Sequence, residues 1–160
     1  MFKVGDQAVY PAQGVGVVEA IETRQMCGQV HDYYILRIID NDMTILVPVA
    51  NASQVGLRRL ISRENLSSVY SLLGEKRAGQ LAISSWSRRQ REYHDRIKTN
   101  DPLEVAQVLR ELYLIREAKE LSYGEKKVLE LARRLLVKEL ALAEGITEDA
   151  VNSRLETMIN

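Results

Sequence analysis

The sequence predicts two domains of different fold class, a small β domain over residues 1–61 and an all-α domain over residues 62–160. The chain has 160 residues, which is enough for two small domains. The first part is rich in β-branched residues and in turn-forming Gly and Pro. In the second part, apolar residues recur at spacings of three and four, as they do on one face of a helix. The period changes near Ser62 without a long Gly/Ser linker, so the domain boundary is expected there.

Three runs of the β domain are typical of strands, and they lie at residues 16–26, 30–40 and 43–49. A turn at Asn41-Asp42 separates the last two. Short strands so close together predict a small, strongly bent barrel. The runs YYILRII and ILVPV are almost wholly apolar, so we expect some of their side chains to face outward. Such a strand is either a docking edge or an aggregation hazard.

Start and stop signals predict about five helices in the second domain. The residues suited to cap their N-termini are Ser62, Ser84 or Ser85, Asp101, Ser122 and Thr147. Pro102 strengthens the third start, and Glu125 completes a capping box with Ser122. Gly145 ends the fourth helix, and residues 74–80 are expected to form a loop. The side chains expected to face the core are Val105, Leu109, Leu112 and Ile115 on the third helix, and Val128, Leu131, Leu135 and Leu142 on the fourth.

Composition narrows the class of protein. No apolar run approaches the roughly 20 residues that span a bilayer, and the N-terminal stretch MFKVGDQAVYP lacks the apolar segment of a signal peptide. The single cysteine, Cys27, excludes an internal disulfide. We therefore expect a cytoplasmic protein with no membrane contact.

Catalytic and metal-binding motifs are missing from the sequence. His31, His94 and Cys27 have no partners at metal-ligand spacing, so no metal and no cofactor are expected. Phosphate-binding glycine loops, G-x-S-x-G and H-E-x-x-H do not occur. Gly14-Val15-Gly16 follows an expected strand, but no helix signal follows it, so a turn is expected there. A protein that is not an enzyme is favoured, and a hydrolase using Cys27 or His94 is kept as an alternative.

The segment SSWSRRQREYHDR, residues 84–96, places the single tryptophan beside a cluster of arginines. The chain carries 22 basic and 22 acidic residues, so its net charge is zero. Residues 84–98, however, hold five basic side chains against two acidic ones. A basic patch on a neutral protein predicts a small, local contact with phosphate.

The residues alone leave two interpretations of Trp86 open. In the first, Trp86 fills a gap between helices, with Leu81, Ile83 and Tyr93 as its neighbours. In the second, it is exposed and wedges against nucleobases while Arg88 and Arg89 hold the nucleic-acid backbone. A wedge of this kind reads groove shape, so its sequence specificity is weak.

Four stretches of the chain resemble the CarD/CdnL family of bacterial transcription regulators. They are FKVGDQAVYPAQGVGVVEAIE, TILVPVANASQVGLRRLI, SSWSRRQRE and LSYGEKKVLELARRLLVKELALAEG. The resemblance covers nearly the whole chain, and its YP-x-x-GVG and WSRR elements are specific in combination. The N-terminal part also resembles the polymerase-interaction domain of the transcription–repair coupling factor, but the helicase motors of that larger protein are absent from this sequence.

The resemblance implies that residues 1–61 form a Tudor-like, SH3-like barrel that docks on the β subunit of RNA polymerase. It implies that the helical domain contacts promoter DNA at the upstream edge of the transcription bubble, where Trp86 enters the minor groove. Arg88 matches a family position that touches DNA, Arg89 assists, and Lys126 matches a further basic position. The implied outcome is a stabilised open promoter complex, notably at ribosomal RNA promoters, without catalysis.

For polymerase docking, the resemblance points to Arg24, Met26, Leu46 and Pro48. Family members carry either arginine or an apolar residue at the position of Leu46, so here the contact is expected to rest on burial. The alternatives from the residues are a solvated strand arginine for Arg24 and a barrel-core residue for Leu46. The protein is expected to be a monomer that is nucleoid-associated through polymerase. The alternative function is a protein–protein adaptor on polymerase with no direct DNA contact.

Overall fold

The computed structural model describes residues 1–75 and 85–159, which form two compact units, Met1–Leu60 and Ile61–Asn160. The strands of the first unit are β1 (Gln7–Tyr10), β2 (Gly14–Met26), β3 (Gln29–Ile38) and β4 (Thr44–Pro48), followed by a 3-10 turn at Val49–Asn51. The helices of the second unit are α1 (Arg63–Gly74), α2 (Trp86–Lys98), α3 (Pro102–Ala118), α4 (Tyr123–Glu144) and α5 (Glu148–Ile159). The predicted fold class, a small β domain followed by an all-α domain, is confirmed.

The four strands form one antiparallel sheet in the order β1-β2-β3-β4. A register shift between Val18 and Ala20 bends β2, as β-bulges do. An isolated bridge between Val9 and Arg58 brings the chain that follows β4 back to β1, at the other edge of the sheet. The meander therefore curls on itself in the manner of a small barrel.

Strand β1 confirms the strand expected before Gly14, although its bounds were not predicted, because a four-residue run is too short to show alternation. The expectation of a turn at Gly14-Val15-Gly16 was wrong, since these residues begin β2 and the turn precedes them. Gly16 allows the neighbouring strand β3 to approach β2 closely. A Cβ at this position would lie 2.8 Å from Leu36 Cγ and 2.9 Å from the Arg37 carbonyl oxygen.

The core of the β unit lies on one face of the sheet. Side chains that point to this face alternate along β3 and β4, and they include Tyr34, Leu36, Ile38 and Val47. Phe2 packs edge-on against Tyr34, with ring centroids 5.7 Å apart. On the opposite face of the sheet, Ile35 is also buried, whereas the residues toward the β2–β3 hairpin are exposed.

Most predicted caps of the helical unit are confirmed. Ser62 and Asp101 accept hydrogen bonds from first-turn N–H groups of α1 and α3. Ser122 and Glu125 form both halves of the capping box of α4. Gly145 ends α4 in a left-handed conformation with φ of 71°. The fifth predicted cap, Thr147, accepts a hydrogen bond from the Ala150 N–H.

The start of α2 differs from those caps, because its N-cap residue Ser85 makes no side-chain capping hydrogen bond. The alternative cap Ser84, the expected loop at 74–80 beyond Glu75, and the apolar neighbours Leu81 and Ile83 lie outside the described residues.

The core stripe predicted for α3 is buried as expected, and its members are Val105, Leu109, Leu112 and Ile115. On α4, Val128 and Leu135 are buried, but Leu131 and Leu142 are only half-buried. Helix α4 packs against α2, α3 and α5, so its buried surface is wider than a single stripe. Within the described residues, no helix combines the length and apolar character needed to cross a membrane.

Candidate functional sites

Trp86 is the first residue of α2, and its half-buried indole lies against Gly124 in the first turn of α4. A Cβ placed on Gly124 would lie 2.9 Å from Trp86 Cζ2, 3.0 Å from Nε1 and 3.1 Å from Cε2. The indole therefore occupies the space that any other side chain at position 124 would need. This contact brings the N-termini of two helices together, and the aligned peptide dipoles of each helix give these ends partial positive charge.

Arg89 supports the indole from inside the helical unit. Its guanidinium carbon lies 5.3 Å from the centre of the Trp86 ring, within the range of a cation–π contact. The Arg89 Nη1 atom donates to Glu125 Oε2 at 3.0 Å, and the exposed fractions of the two side chains are only 5% and 1%. Tyr93 completes the group, with its ring centroid 6.2 Å from that of Trp86.

Glu125 connects Arg89 to the start of α4. Its Oε1 atom accepts a hydrogen bond from the Ser122 N–H at 2.9 Å and lies 3.6 Å from Lys119 Nζ. Burial alone would raise the pKa of this carboxyl group. Hydrogen bonds from Ser122 and Arg89 and the charge of Lys119 outweigh that effect and lower the pKa to about 2. Glu125 is therefore ionised at neutral pH.

The other buried groups of this cluster also keep a single charge state near neutral pH. Burial raises the pKa of Tyr93 to about 12. The hydrogen bond from Arg89 opposes this rise, and Glu111 adds to it. Burial acts to lower the pKa of Arg89, but hydrogen bonds to Tyr93 and Glu125 raise it overall. The arrangement is a buried cation paired with a buried anion beneath the indole.

Exposed cations flank Trp86 on both helices. Arg88 follows two residues after Trp86 on α2, is exposed, and forms no ion pair among residues 1–75 and 85–159. Lys126 follows two residues after Gly124 on α4, and its exposed Nζ lies 4.0 Å from Glu120. Tyr123, just before Gly124, is 74% exposed.

The sequence-predicted DNA residues thus divide into two groups. Trp86, Arg88 and Lys126 are accessible at the junction of α2 and α4, whereas Arg89 is buried beneath it. Sequence reasoning missed the roles of Gly124 and Glu125, because the capping box accounted for both positions. A signal for the burial of Arg89 was present: Arg89, Tyr93 and Ile97 recur every four residues and form the buried face of α2.

A second candidate surface is the outer face of the sheet, opposite the core. It comprises Glu22, Arg24 and Met26 on β2, His31, Tyr33 and Ile35 on β3, and Leu46 and Pro48 on β4. Contacts within this face agree with the register: Arg24 pairs with Glu22 at 2.9 Å, and the Tyr33 hydroxyl donates to Met26 Sδ at 3.5 Å. All four residues predicted to contact polymerase lie on this outer face.

Leu46 belongs to the outer face rather than to the core. Its neighbours Ile45 and Val47 point to the core of the β unit, so Leu46 points the other way. Leu46 is half-buried, and its cross-strand partner is Ile35. The barrel-core alternative for Leu46 therefore does not hold.

The β2–β3 hairpin projects this outer face beyond the core. All residues from 21 to 32 are exposed, and β4 pairs only with Tyr33–Arg37, so residues 29–32 present an open edge of β3. At the tip, Cys27 and Gly28 both have positive φ, 52° and 79°, as a two-residue hairpin turn requires. Cys27 is therefore an exposed turn residue. No group of side chains suited to bind a metal ion occurs in the described part of the chain.

Comparison with known proteins places both units in one family. Residues 2–61 match the family model described as "CarD-like/TRCF RID domain", and residues 68–156 match "CarD, C-terminal domain". The chain is 31% identical over 153 residues to YdeB of Bacillus subtilis (strain 168), which is named as a candidate transcription factor. That match covers 96% of this chain and 99% of YdeB.

Two solved structures from Myxococcus xanthus are also similar. The structure of CdnLNt is 49% identical, with a TM-score of 0.34, and the match covers 39% of this chain and 89% of that one. The solution NMR structure of the 72-residue N-terminal domain of CarD is 32% identical, with a TM-score of 0.33 and coverage of 37% and 79%. On the family models and the full-length relative, this chain belongs to the CarD/CdnL family of transcription regulators.

Proposed function

We propose that the protein docks on the β subunit of RNA polymerase and stabilises the open promoter complex by inserting Trp86 into the DNA minor groove at the upstream edge of the bubble. The observation that carries the DNA part is the position of Trp86. It is a half-buried indole, fixed against Gly124 at the meeting point of two helix N-termini and flanked by exposed cations. Open-complex stabilisation is expected to matter most at ribosomal RNA promoters.

The chemistry at this junction suits a DNA fork. An apolar wedge at a base step offsets the loss of base stacking there, which amounts to a few kcal/mol. In this proposal, the exposed side chains of Arg88 and Lys126 contact backbone phosphates beside the indole. Among the residues that the structure describes, no side chain caps the first turn of α2, and this turn holds no acidic residue, so its N–H groups favour an anion. Arg89 assists from below by holding the indole, since its guanidinium group is buried.

The outer face of the sheet is the proposed polymerase-docking surface. Met26, Leu46 and Pro48 provide apolar contact area, and Arg24 provides a charge. Arg24 is paired with Glu22 while 44% of its side chain is exposed, so exchange of Glu22 for an acidic group of the partner costs little. The open edge of β3 at residues 29–32 offers backbone hydrogen bonds beside this face.

Docking on polymerase explains how a chain of zero net charge acts on DNA. A small basic patch neutralises few phosphates, so binding to DNA alone is weak and sensitive to salt. Tethering raises the effective concentration of the wedge at the fork to about the millimolar range. A preference of about 1.4 kcal/mol for the open over the closed complex then shifts that equilibrium about tenfold. The proposed action needs no catalysis.

The lifetime of the open complex at a ribosomal RNA promoter, with the cognate polymerase, tests this function. Wild type is compared with Trp86→Ala and Trp86→Phe, and polymerase binding is measured for each. We expect wild type to lengthen the lifetime, Trp86→Phe to retain part of the effect, and Trp86→Ala to lose it while still binding polymerase. If Trp86→Ala lengthens the lifetime as wild type does, the DNA wedge is refuted. The alternative function, a protein–protein adaptor on polymerase with no direct DNA contact, is then favoured.

A further inference from the structure

We infer that Glu125 is a positioning residue for Trp86, in addition to capping α4, and that it acts through Arg89. This inference rests on the proposed role of Trp86 at the DNA fork. We infer that the carboxylate of Glu125 keeps the Arg89 guanidinium against the indole, so that the indole is already oriented before DNA binds.

The two carboxylate oxygens of Glu125 have different partners. Oε1 accepts from the Ser122 N–H at 2.9 Å and completes the cap of α4, whereas Oε2 accepts from Arg89 Nη1 at 3.0 Å. A capping box requires only one acceptor atom, and glutamine serves as well as glutamate. The cap therefore does not need the second oxygen or the negative charge of Glu125. Both interact instead with Arg89, whose guanidinium group lies over the Trp86 ring.

Burial of this ion pair also points beyond capping. Removing two charges from water is costly, and apolar residues of similar volume often give equal or greater stability. A helix-capping glutamate has no need of burial, yet Glu125 is 1% exposed and Arg89 is 5% exposed. What the buried pair adds is orientation, because the planar guanidinium is held at both Glu125 and Tyr93 while it lies over the indole.

Adjacent residues of α4 thus restrain the indole from two directions. Gly124 meets its edge at Cζ2, Nε1 and Cε2, and Glu125 acts on its face through Arg89. An indole restrained in this way loses less side-chain entropy on binding than a mobile one would. Loss of the Glu125 charge is expected to loosen Trp86 while α4 remains capped.

A double-mutant cycle tests the inference with the full chain and a fluorescein-labelled forked DNA duplex at low salt. The four proteins are wild type, Glu125→Gln, Trp86→Ala and the double variant, and binding is followed by fluorescence anisotropy. Lys119→Gln is the matched control, because it removes a charge 3.6 Å from the same carboxylate on a half-exposed side chain. Acrylamide quenching of Trp86 in the unbound protein reports its restraint independently of DNA.

We expect Glu125→Gln to weaken fork binding about fivefold to tenfold, to increase quenching of Trp86, and to have no further effect on binding in the Trp86→Ala background. Lys119→Gln should leave quenching of Trp86 unchanged. Equal losses in both backgrounds would show a general structural role and overturn the inference, as would unchanged quenching. If Trp86→Ala binds the fork as wild type does, the proposed function itself fails, which is a distinct result.

Should Glu125→Gln fail to fold, Arg89→Lys provides the same test. It keeps the positive charge near Glu125 but removes the planar group that covers the indole. The expected result is again increased quenching and a loss of fork binding that depends on Trp86. Unchanged quenching and binding in a folded Arg89→Lys protein would refute the link between Glu125 and Trp86.

Discussion

Trp86 and Gly124 lie so close together that a side chain at position 124 would overlap the indole. Gly124 lies in the first turn of α4, where the indole of Trp86 packs. A Cβ at position 124 would lie 2.9 Å from Trp86 Cζ2. A glycine in a helix is unfavourable by up to about 1 kcal/mol relative to alanine. Gly124 occurs here because its missing side chain leaves space for the indole of Trp86, the only tryptophan of the chain.

Gly124→Ala is expected to displace the indole. The new methyl group would overlap a rigid ring, so we expect the protein to lose about 1–3 kcal/mol of stability, as in overpacked cores. The Trp86 emission maximum should shift to longer wavelength as the indole moves into water. Gly74→Ala is the matched control, because it also lies in a helix and, among the described residues, its Cβ would meet the flexible end of Met158, at 3.1 Å. An unchanged emission spectrum in Gly124→Ala would contradict the close contact.

Acid is expected to weaken the buried pair of Arg89 and Glu125. The pKa of Glu125 is about 2 in the folded protein against an ordinary value of 4.5, so the unfolded chain takes up the proton first as pH falls. The stabilisation is therefore fully present above about pH 4.5 and is lost as the pH approaches 2. The difference between the two pKa values corresponds to about 3 kcal/mol.

Chemical denaturation of wild type and Glu125→Gln at several pH values measures this effect. The difference in unfolding free energy between them should be largest between about pH 5 and pH 7 and should shrink toward pH 2. Glu130→Gln, an exposed change on the same helix, is the matched control. A Glu125→Gln difference that does not vary with pH would show that the carboxylate charge is not stabilising.

Local signals explain what the sequence predicted well. The caps at Asp101, Ser122 and Gly145 depend on neighbouring backbone groups, so a few consecutive residues were enough to identify them. The contact between Trp86 and Gly124 joins two helices that are distant in sequence, and no periodicity indicates it. The exposed and buried arginines of the WSRR element are adjacent, and only the register of α2 on its neighbours distinguishes Arg88 from Arg89.

The β unit shows the same limit. Alternation along β3 and β4 follows from strand geometry, but the sequence alone did not indicate which alternate set faces the core. Leu46 and Val47 are both apolar, and the sheet register assigns them to opposite faces. The bounds and pairing of the short strand β1 were not predicted for a different reason: its pairing with β2 and the bridge to Arg58 are tertiary contacts.

Arg88 is expected to contribute one phosphate contact at the DNA junction. Arg88→Gln should weaken binding to forked DNA and make the slope of log affinity against log salt shallower by about 1. Lys126→Gln should behave similarly. Lys98→Gln is the control, since Lys98 is an exposed cation at the opposite end of α2. Affinities measured between about 25 and 200 mM salt decide the matter. If Lys98→Gln changes the slope as much as Arg88→Gln does, the charge effect is general and not local to the junction.

The outer face and the core of the β unit are expected to respond differently to substitution in β4. Leu46→Ser removes a half-buried apolar side chain from the proposed docking face, so polymerase binding should weaken about tenfold or more, with a loss of only about 1 kcal/mol in stability. Val47→Ala instead removes methyl groups from a side chain that is 1% exposed and should cost about 2 kcal/mol in stability. The folded Val47→Ala protein should still bind polymerase with wild-type affinity, because its docking face is intact.

Affinity chromatography on immobilised polymerase, together with denaturation curves, separates the two effects. Equal losses of polymerase affinity in both variants would mean that Leu46 acts only through the stability of the sheet.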